Sequence, residues 1–513
     1  MTILRGKYGS VLQVGAACCV AVTVFSAPAE AIWSNDPAHN LVLADGASEQ
    51  VQAKIVARAD GGFYVSWFDN ANGGYDLRLQ RLSTSGGELW GHNGILVADR
   101  NLSSTTDYGL GIDAAGNALL AFNDDSQATE RIVAAKISPD GQALWGTQGI
   151  AVSNSTAFLA SPRIAGTDDG DVVVAWFQSP DTVLQRLDPD GVKQWAADGL
   201  VLAHSGDTFV LADLQATGSN GGLDTGNVIV SWVRYVTFNG PKHIWAQKLD
   251  PTGAVLWGAA HKQVFDLAGG SLQFGNFPGF ESDGTGGAVF AWYTSTPVLQ
   301  VRAQHILAAG TEAFAHDGVE VSTDGSHLRV EPAAAYDGAS GETTVFWVEK
   351  NTLQSQHGLY GQRLDGVGSR LWGTSGIALI PLGSTEITQL VALPVPSVVD
   401  PPLQVPLGAN DTLIAWAEGS FDNQPIRVAR IDPAGGYAWN PTTANLKTSA
   451  TSTGRLAGAL STDGFAAYAW TDGETLRDLK AQNLNLDGSL GTAPLFADGF
   501  EGGTTGSWSA AVP

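Results

Sequence analysis

The amino-acid sequence predicts an all-β fold, an eight-bladed β-propeller of four-stranded antiparallel blades closed by an N-terminal strand. Three observations lead there. One unit is written eight times, each copy marked by an apolar strand ending in an aromatic: Trp67, Phe122, Trp176, Trp232, Trp292, Trp347, Trp416 and Trp470. The spacings are 55, 54, 56, 60, 55, 69 and 54 residues, a period that marks a repeat architecture. Strands such as 171–176 (DVVVAW) are apolar on both alternate faces. They need cover on two sides, which radial stacking of small sheets supplies. Finally, residues 32–45 (IWSNDPAHNLVLAD) match the second half of a unit, ELWGHNGILVAD at 88–99, which the last unit lacks. The N-terminal segment is therefore expected to complete the last blade, with Trp33 in the place of Trp90. Seven blades with one enlarged unit is the alternative.

Taken in order, residues 1–31 read as a signal peptide. Arg5 and Lys7 precede an apolar run over 11–25, and Ala29-Glu30-Ala31 offers a small-x-small cleavage site. The run is shorter than the roughly 20 residues of a spanning helix, so no membrane span is expected after cleavage. Cleavage would remove Cys18, Cys19 and the only methionine. The remaining chain would have no disulfide and no thiolate chemistry, and stability would rest on apolar packing.

Residues 32–490 form the expected propeller. Four copies show the unit best: QRLSTSGGELWGHNGILVAD at 80–99, AKISPDGQALWGTQGIAVSN at 135–154, QRLDPDGVKQWAADGLVLAH at 185–204 and QRLDGVGSRLWGTSGIALIP at 362–381. Asp188-Pro189-Asp190-Gly191 suits a tight turn, because Asp accepts backbone hydrogen bonds, Pro fixes φ and Gly tolerates the closing conformation. The second aromatic of the unit, at Trp90, Trp145, Trp195, Trp257, Trp372 and Trp439, stands at fixed phase beside this turn and is expected to fill the gap between blades.

The stretch 247–257 (QKLDPTGAVLW) resembles the docking repeat of quinoprotein dehydrogenases and BamB-like propellers. The repeats are more similar still to the QRLDxxGxxLWGxxG units of secreted bacterial propeller proteins, a likeness that spans nearly all of residues 32–490. It implies a secreted repeat protein with an extracellular or cell-surface location. The quinone cofactor of the dehydrogenases is not expected, since their vicinal cysteine pair is matched here only within the leader. No cofactor is assigned.

With 51 acidic against 27 basic residues the formal charge is −24, which opposes a duplex nucleic acid or an anionic membrane as partner. The nine histidines form no His-Glu-x-x-His motif, and His316 and His327 stand eleven apart without a carboxylate pattern; no metal site is expected. Two residues after the strand aromatic, five of the eight units carry an acid: Asp69, Asp124, Glu349, Glu418 and Asp472. They are expected to line one rim and to contact a ligand there, beside loops of variable length. No catalytic residue is assigned.

The tail, 491–513, contains DGFEGGTTGSWS and resembles the DGFExGxxxxWS ending of many secreted proteobacterial proteins, which implies a sorting element. The resulting functional expectation is a monomeric, secreted, non-catalytic scaffold that binds an extracellular glycan or protein through its variable-loop face. The alternative is a carbohydrate-active hydrolase or lyase with an acidic central cleft. The channel decides between them: a carboxylate pair with a raised pKa beside aromatic groups favours the enzyme, and a channel of small or merely solvated residues favours the scaffold.

Overall fold

The computed structural model describes residues 33–491 except 72, 103–106, 127–128, 219, 396–409 and 475. The expected signal peptide, the tail and most of the proline-rich insertion at 394–406 lie outside these residues. Eight antiparallel sheets are present, each with the order inner, second, third and outer strand. In blade 1 these are Gln50–Ala57, Phe63–Asp69, Tyr75–Leu82 and Ile95–Leu102. The inner strands of blades 2 to 8 are Gly109–Ile112, Leu159–Gly166, Thr208–Ala216, the split pair Ser271–Leu272 and Phe280–Ser282, Leu328–Asp337, Ile387–Val395 and Thr453–Leu460. Each inner strand lies against those of the two neighbouring blades, all the way round. The sheets thus close into an eight-bladed propeller.

Closure is made by the N-terminal strand Leu41–Ala44. It pairs antiparallel with Asp478–Asn485, Leu41 opposite Ala481 and Val42 opposite Lys480, as the outer strand of blade 8. The seven-blade alternative is excluded by the eight sheets.

The repeat motif is legible in the contacts. All eight strand aromatics are buried between blades. The glutamine of each QRL braces its own loop: Gln185 Nε2 donates to Ala196 O at 2.7 Å and Gln185 Oε1 accepts from Trp195 N at 3.1 Å. The arginine reaches the next blade, with Arg186 held by Asp171 and donating to Gly226 O at 2.8 Å. The second tryptophan then donates its indole N–H to the turn of the next blade: Trp145 to Pro189 O, Trp195 to Pro251 O, Trp257 to Ala308 O, Trp372 to Pro433 O and Trp439 to Leu486 O, at 2.8–3.1 Å. Trp90 stacks on Tyr64 at 5.9 Å between ring centroids.

The turn glycine is required on two counts. Gly253 has φ +85°, and at the equivalent Gly310, φ +79°, a Cβ would sit 2.7 Å from the Trp257 indole. The residue must be left-handed and must leave room for the neighbouring ring. Asp250 Oδ1 accepts from Thr252 N and Ala254 N at 2.8 and 2.9 Å, which fixes the same turn.

Trp33 repeats the arrangement at the closing seam. Its indole donates to Thr84 O in blade 1 at 2.9 Å, and Gln482 of blade 8 donates to Ser34 O at 2.6 Å. The side chain is 2% exposed. Trp33→Ala is expected to cost about 3–5 kcal/mol through lost burial and an unfilled cavity, measured by urea unfolding. Leu223→Ala, at a residue 84% exposed, is expected to stay within about 0.5 kcal/mol.

Candidate active site in the central channel

The channel wall is built from the inner strands, and their pairing with the second strands puts all eight blades in one register. Opposite the residue three before each strand aromatic stand Val56, Gly111, Ala165, Gln215, Glu281, Ala335, Leu393 and Ala459. Seven are small, apolar or amide. Glu281 is the single carboxylate of this layer. Its strand, Phe280–Ser282, is the short remainder of an inner strand interrupted at 273–279. That excursion brings Asn276 and Pro278 to the channel.

Glu281 faces a cavity of about 550 Å³ whose wall also includes Asp213, Gln215, Tyr293 and Glu331. Asp213 and Gln215 of blade 4 take over the pairing that Phe280–Ser282 lacks on that side. Asp213 Oδ2 accepts from Phe280 N at 3.1 Å, Gln215 Oε1 accepts from Ser282 N at 3.2 Å, and Gln215 Nε2 donates to Phe280 O. Glu281 is thereby fixed beside Asp213. Its side chain is exposed to the channel, with the walls of the bore close around it. That enclosure, reinforced by the charge of Asp213, pushes its carboxyl up to about 7. Glu331 is also raised, by the same enclosure. A proton donor at neutral pH therefore stands beside a second carboxylate and near an aromatic, Tyr293.

The five acids expected on the rim lie at the ends of second strands, on one end of the blades. Each is held by cations of its own neighbourhood. Asp69 pairs with Arg78 at 2.9 Å, Asp124 with Arg100 and Arg131 at 2.7 and 2.8 Å, Glu349 with Arg329 at 3.0 Å, and Glu418 with Arg427. Asp472 pairs with Lys447 and Lys480 at 2.7 and 2.5 Å. Glu349 and Glu418 also accept the indole N–H of Trp347 and Trp416. Four of the five are buried and Glu418 is half-buried. The structure does not gather them into one cluster.

Around the two spaced histidines the fold supplies the carboxylates that the spacing lacks. Asp266, His316 and Asp317 converge, as do Asp324, His327 and Glu349. In the second group Glu349 is already occupied by Arg329 and Trp347. In the first, His316 bridges Asp266 and Glu312 at 3.0 and 2.9 Å, with Lys262 on Glu312 at 3.2 Å. His92 repeats this between Asp45 and Glu88 at 3.1 and 3.0 Å. The two bridges sit at opposite seams of the ring, between blades 4 and 5 and between blades 8 and 1.

No protein-family model matches this chain, and no curated protein matches it. Among solved structures it is similar to prolyl oligopeptidase B from Galerina marginata (10% identity, TM-score 0.43) over 83% of this chain and 56% of that one. The chain thus spans little more than half of that enzyme. It is also similar to an α-L-arabinanase from Penicillium chrysogenum (10% identity, TM-score 0.35, 66% of this chain, 97% of that one) and to an ulvan lyase (11% identity, TM-score 0.42, 90% and 97%). At such identities the likeness concerns the fold.

The expectation of a non-catalytic scaffold is corrected by the channel. It is not lined by small or merely solvated residues on every side. Glu281, its carboxyl pushed up to about 7, beside Asp213 is the arrangement expected to favour an enzyme over a scaffold. The missed signal was in the sequence: eleven residues before the strand aromatic, blades 1, 2, 3 and 8 carry Val56, Gly111, Ala165 and Ala459, and blade 5 carries Glu281.

The histidine bridges predict a pH-dependent stability. Glu312 raises His316, helped by Asp266 and Asp317; burial works against protonation of His92, yet Glu88 and Asp45 raise it. The stabilisation is complete below the ordinary histidine value of about 6.5 and fades as pH climbs through the raised values. His92→Ala with His316→Ala should lower the melting temperature at pH 5.5 and have a much smaller effect at pH 9, as read by calorimetry.

Proposed function

We propose that this chain is a secreted carbohydrate-active enzyme, a hydrolase or lyase, that cleaves a polysaccharide in its acidic central channel. One observation carries the reading: Glu281 keeps its proton near neutral pH while Asp213 stands beside it. Glycosidic cleavage needs such a pair, an acid for the leaving oxygen and a carboxylate for the charge that develops at the sugar. In hydrolysis Glu281 gives its proton to the glycosidic oxygen as the C–O bond breaks, and water adds its hydroxide to the sugar carbon while Asp213 takes up the remaining proton. Asp213 is the carboxylate facing that carbon. The excursion at 273–279 and Tyr293 shape the wall against which the sugar lies.

Export supports this reading. The basic start, the apolar run over 11–25 and Ala29-Glu30-Ala31 direct the chain to an extracellular or surface location, where polysaccharide is found, and the ending at 495–513 acts in sorting. The protein works as a monomer, with a glycan as its partner.

A polysaccharide cleavage panel on the full chain tests the proposal. The wild type is expected to cut at least one polymer, with activity falling as pH rises above about 7, because ionisation removes the Glu281 proton. Glu281→Gln should lower kcat by about 10²–10⁴. Activity unchanged in Glu281→Gln, or no cleavage of any polymer, would overturn it.

A further inference from the structure

Across the channel from Glu281 the charge changes sign. Lys54 of blade 1 and Arg163 of blade 3 occupy the same register as Asp213, opposite the residue one before the strand aromatic. That is two residues, roughly 7 Å along the strand, from the layer of Glu281. Both line a cavity of about 500 Å³ that shares Asp213 and Gln215 with the acidic cavity. Both contact one carboxylate, Asp107, at 2.8 Å.

A third cation completes the group. Inner strands of blades 1, 3, 6, 7 and 8 carry a bulge at one common position, where Gln52, Ser161, Glu331, Gln389 and Arg455 adopt φ between +50° and +63°. The bulge belongs to the scaffold, whereas the side chain it presents varies from blade to blade. In blade 8 it presents Arg455, which is exposed and makes no hydrogen bond or ion pair with any described residue. Its charge is felt at Lys54, whose ammonium is lowered by burial and by Arg163 and Arg455, against the pull of Asp107. Lys54 and Arg163 share the one carboxylate of Asp107, and Arg455 adds a positive charge felt at Lys54. Set against Asp107 and, on the same cavity wall, Asp213, the three cations leave one net positive charge there, in a protein of formal charge −24.

We propose that Lys54, Arg163 and Arg455 form an anion subsite that holds the carboxylate or sulfate ester of an acidic polysaccharide while its glycosidic bond lies at Glu281 and Asp213. This rests on the catalytic reading above and names its substrate class. An arginine fork matches a planar carboxylate, and Arg455 has both edges free for it. The overall acidity does not forbid the ligand. Charges farther than the screening length of about 8 Å at physiological ionic strength are largely masked, while the arc acts in contact.

The test is binding to the full chain carrying Glu281→Gln, so that no polymer is consumed. Polygalacturonate, alginate, hyaluronan and a sulfated galactan serve as probes, each beside its carboxyl-reduced or desulfated form, which also tells carboxylate from sulfate. At least one acidic polymer should bind, at least tenfold more tightly than its neutral counterpart. Arg455→Gln should weaken it at least tenfold and flatten its salt dependence, with Arg477→Gln at the same mouth as control. Equal binding of acidic and neutral forms, no binding of any acidic form, or an unaffected Arg455→Gln would overturn the subsite. Arg455-dependent binding without cleavage by the wild type would instead retain the subsite and sink the catalytic reading; cleavage of neutral polymers alone would do the reverse.

Discussion

The docking of an indole onto the next blade's turn is the contact on which the architecture depends. A tryptophan gives its N–H to a turn carbonyl, the facing glycine leaves space for the ring, and a QRL-type cation crosses to the same neighbour. Each piece is modest, about 1 kcal/mol for a hydrogen bond. Repetition turns it into geometry. The contact sets how far one sheet is offset from the next, and hence how wide a hole the inner strands leave. The site chemistry follows from that hole.

Much of the fold was legible because repetition converts weak local signals into a strong periodic one. The strand aromatics, the turn residues and the Trp33 segment each stand in their expected places. The site was far less legible. Channel residues come from inner strands with irregular bulges and unequal links to the second strand: Glu281 stands eleven residues before its aromatic, but Gln215 stands seventeen and Leu393 twenty-three. A periodic search tuned to the aromatics passes over them. The acids two after the aromatics were conspicuous for the opposite reason, as their regularity reflects what strand ends need. Burial there requires a counter-charge, and the third strand provides it at Asp69, Asp124, Glu418 and Asp472 and an inner strand at Glu349.

The channel also shows how a rigid ring makes an asymmetric site. Backbone geometry repeats eightfold, so every blade offers equivalent positions toward the axis. Charge is assigned to only some of them: acids on blades 4, 5 and 6, bases on blades 1, 3 and 8. Asp213 shares its register and cavity with Lys54 and Arg163, while Glu281 and Glu331 stand on the blades beyond it. The scaffold therefore holds opposite charges at fixed separation without letting them collapse into mutual ion pairs. Arg455 is preorganised in this way and can meet an anion without first breaking bonds to its own protein.

The composite last blade has a temporal consequence. Its edge strand, Leu41–Ala44, comes from near the start of the described residues and its other three, Thr453–Leu460, Phe465–Asp472 and Asp478–Asn485, from near their end, so the circle cannot be sealed until that last strand has been made. Until then the sequence carries an open sheet at each end and lacks its most distant pairing. A polypeptide that must meet its own beginning stays threadable for as long as its end is withheld.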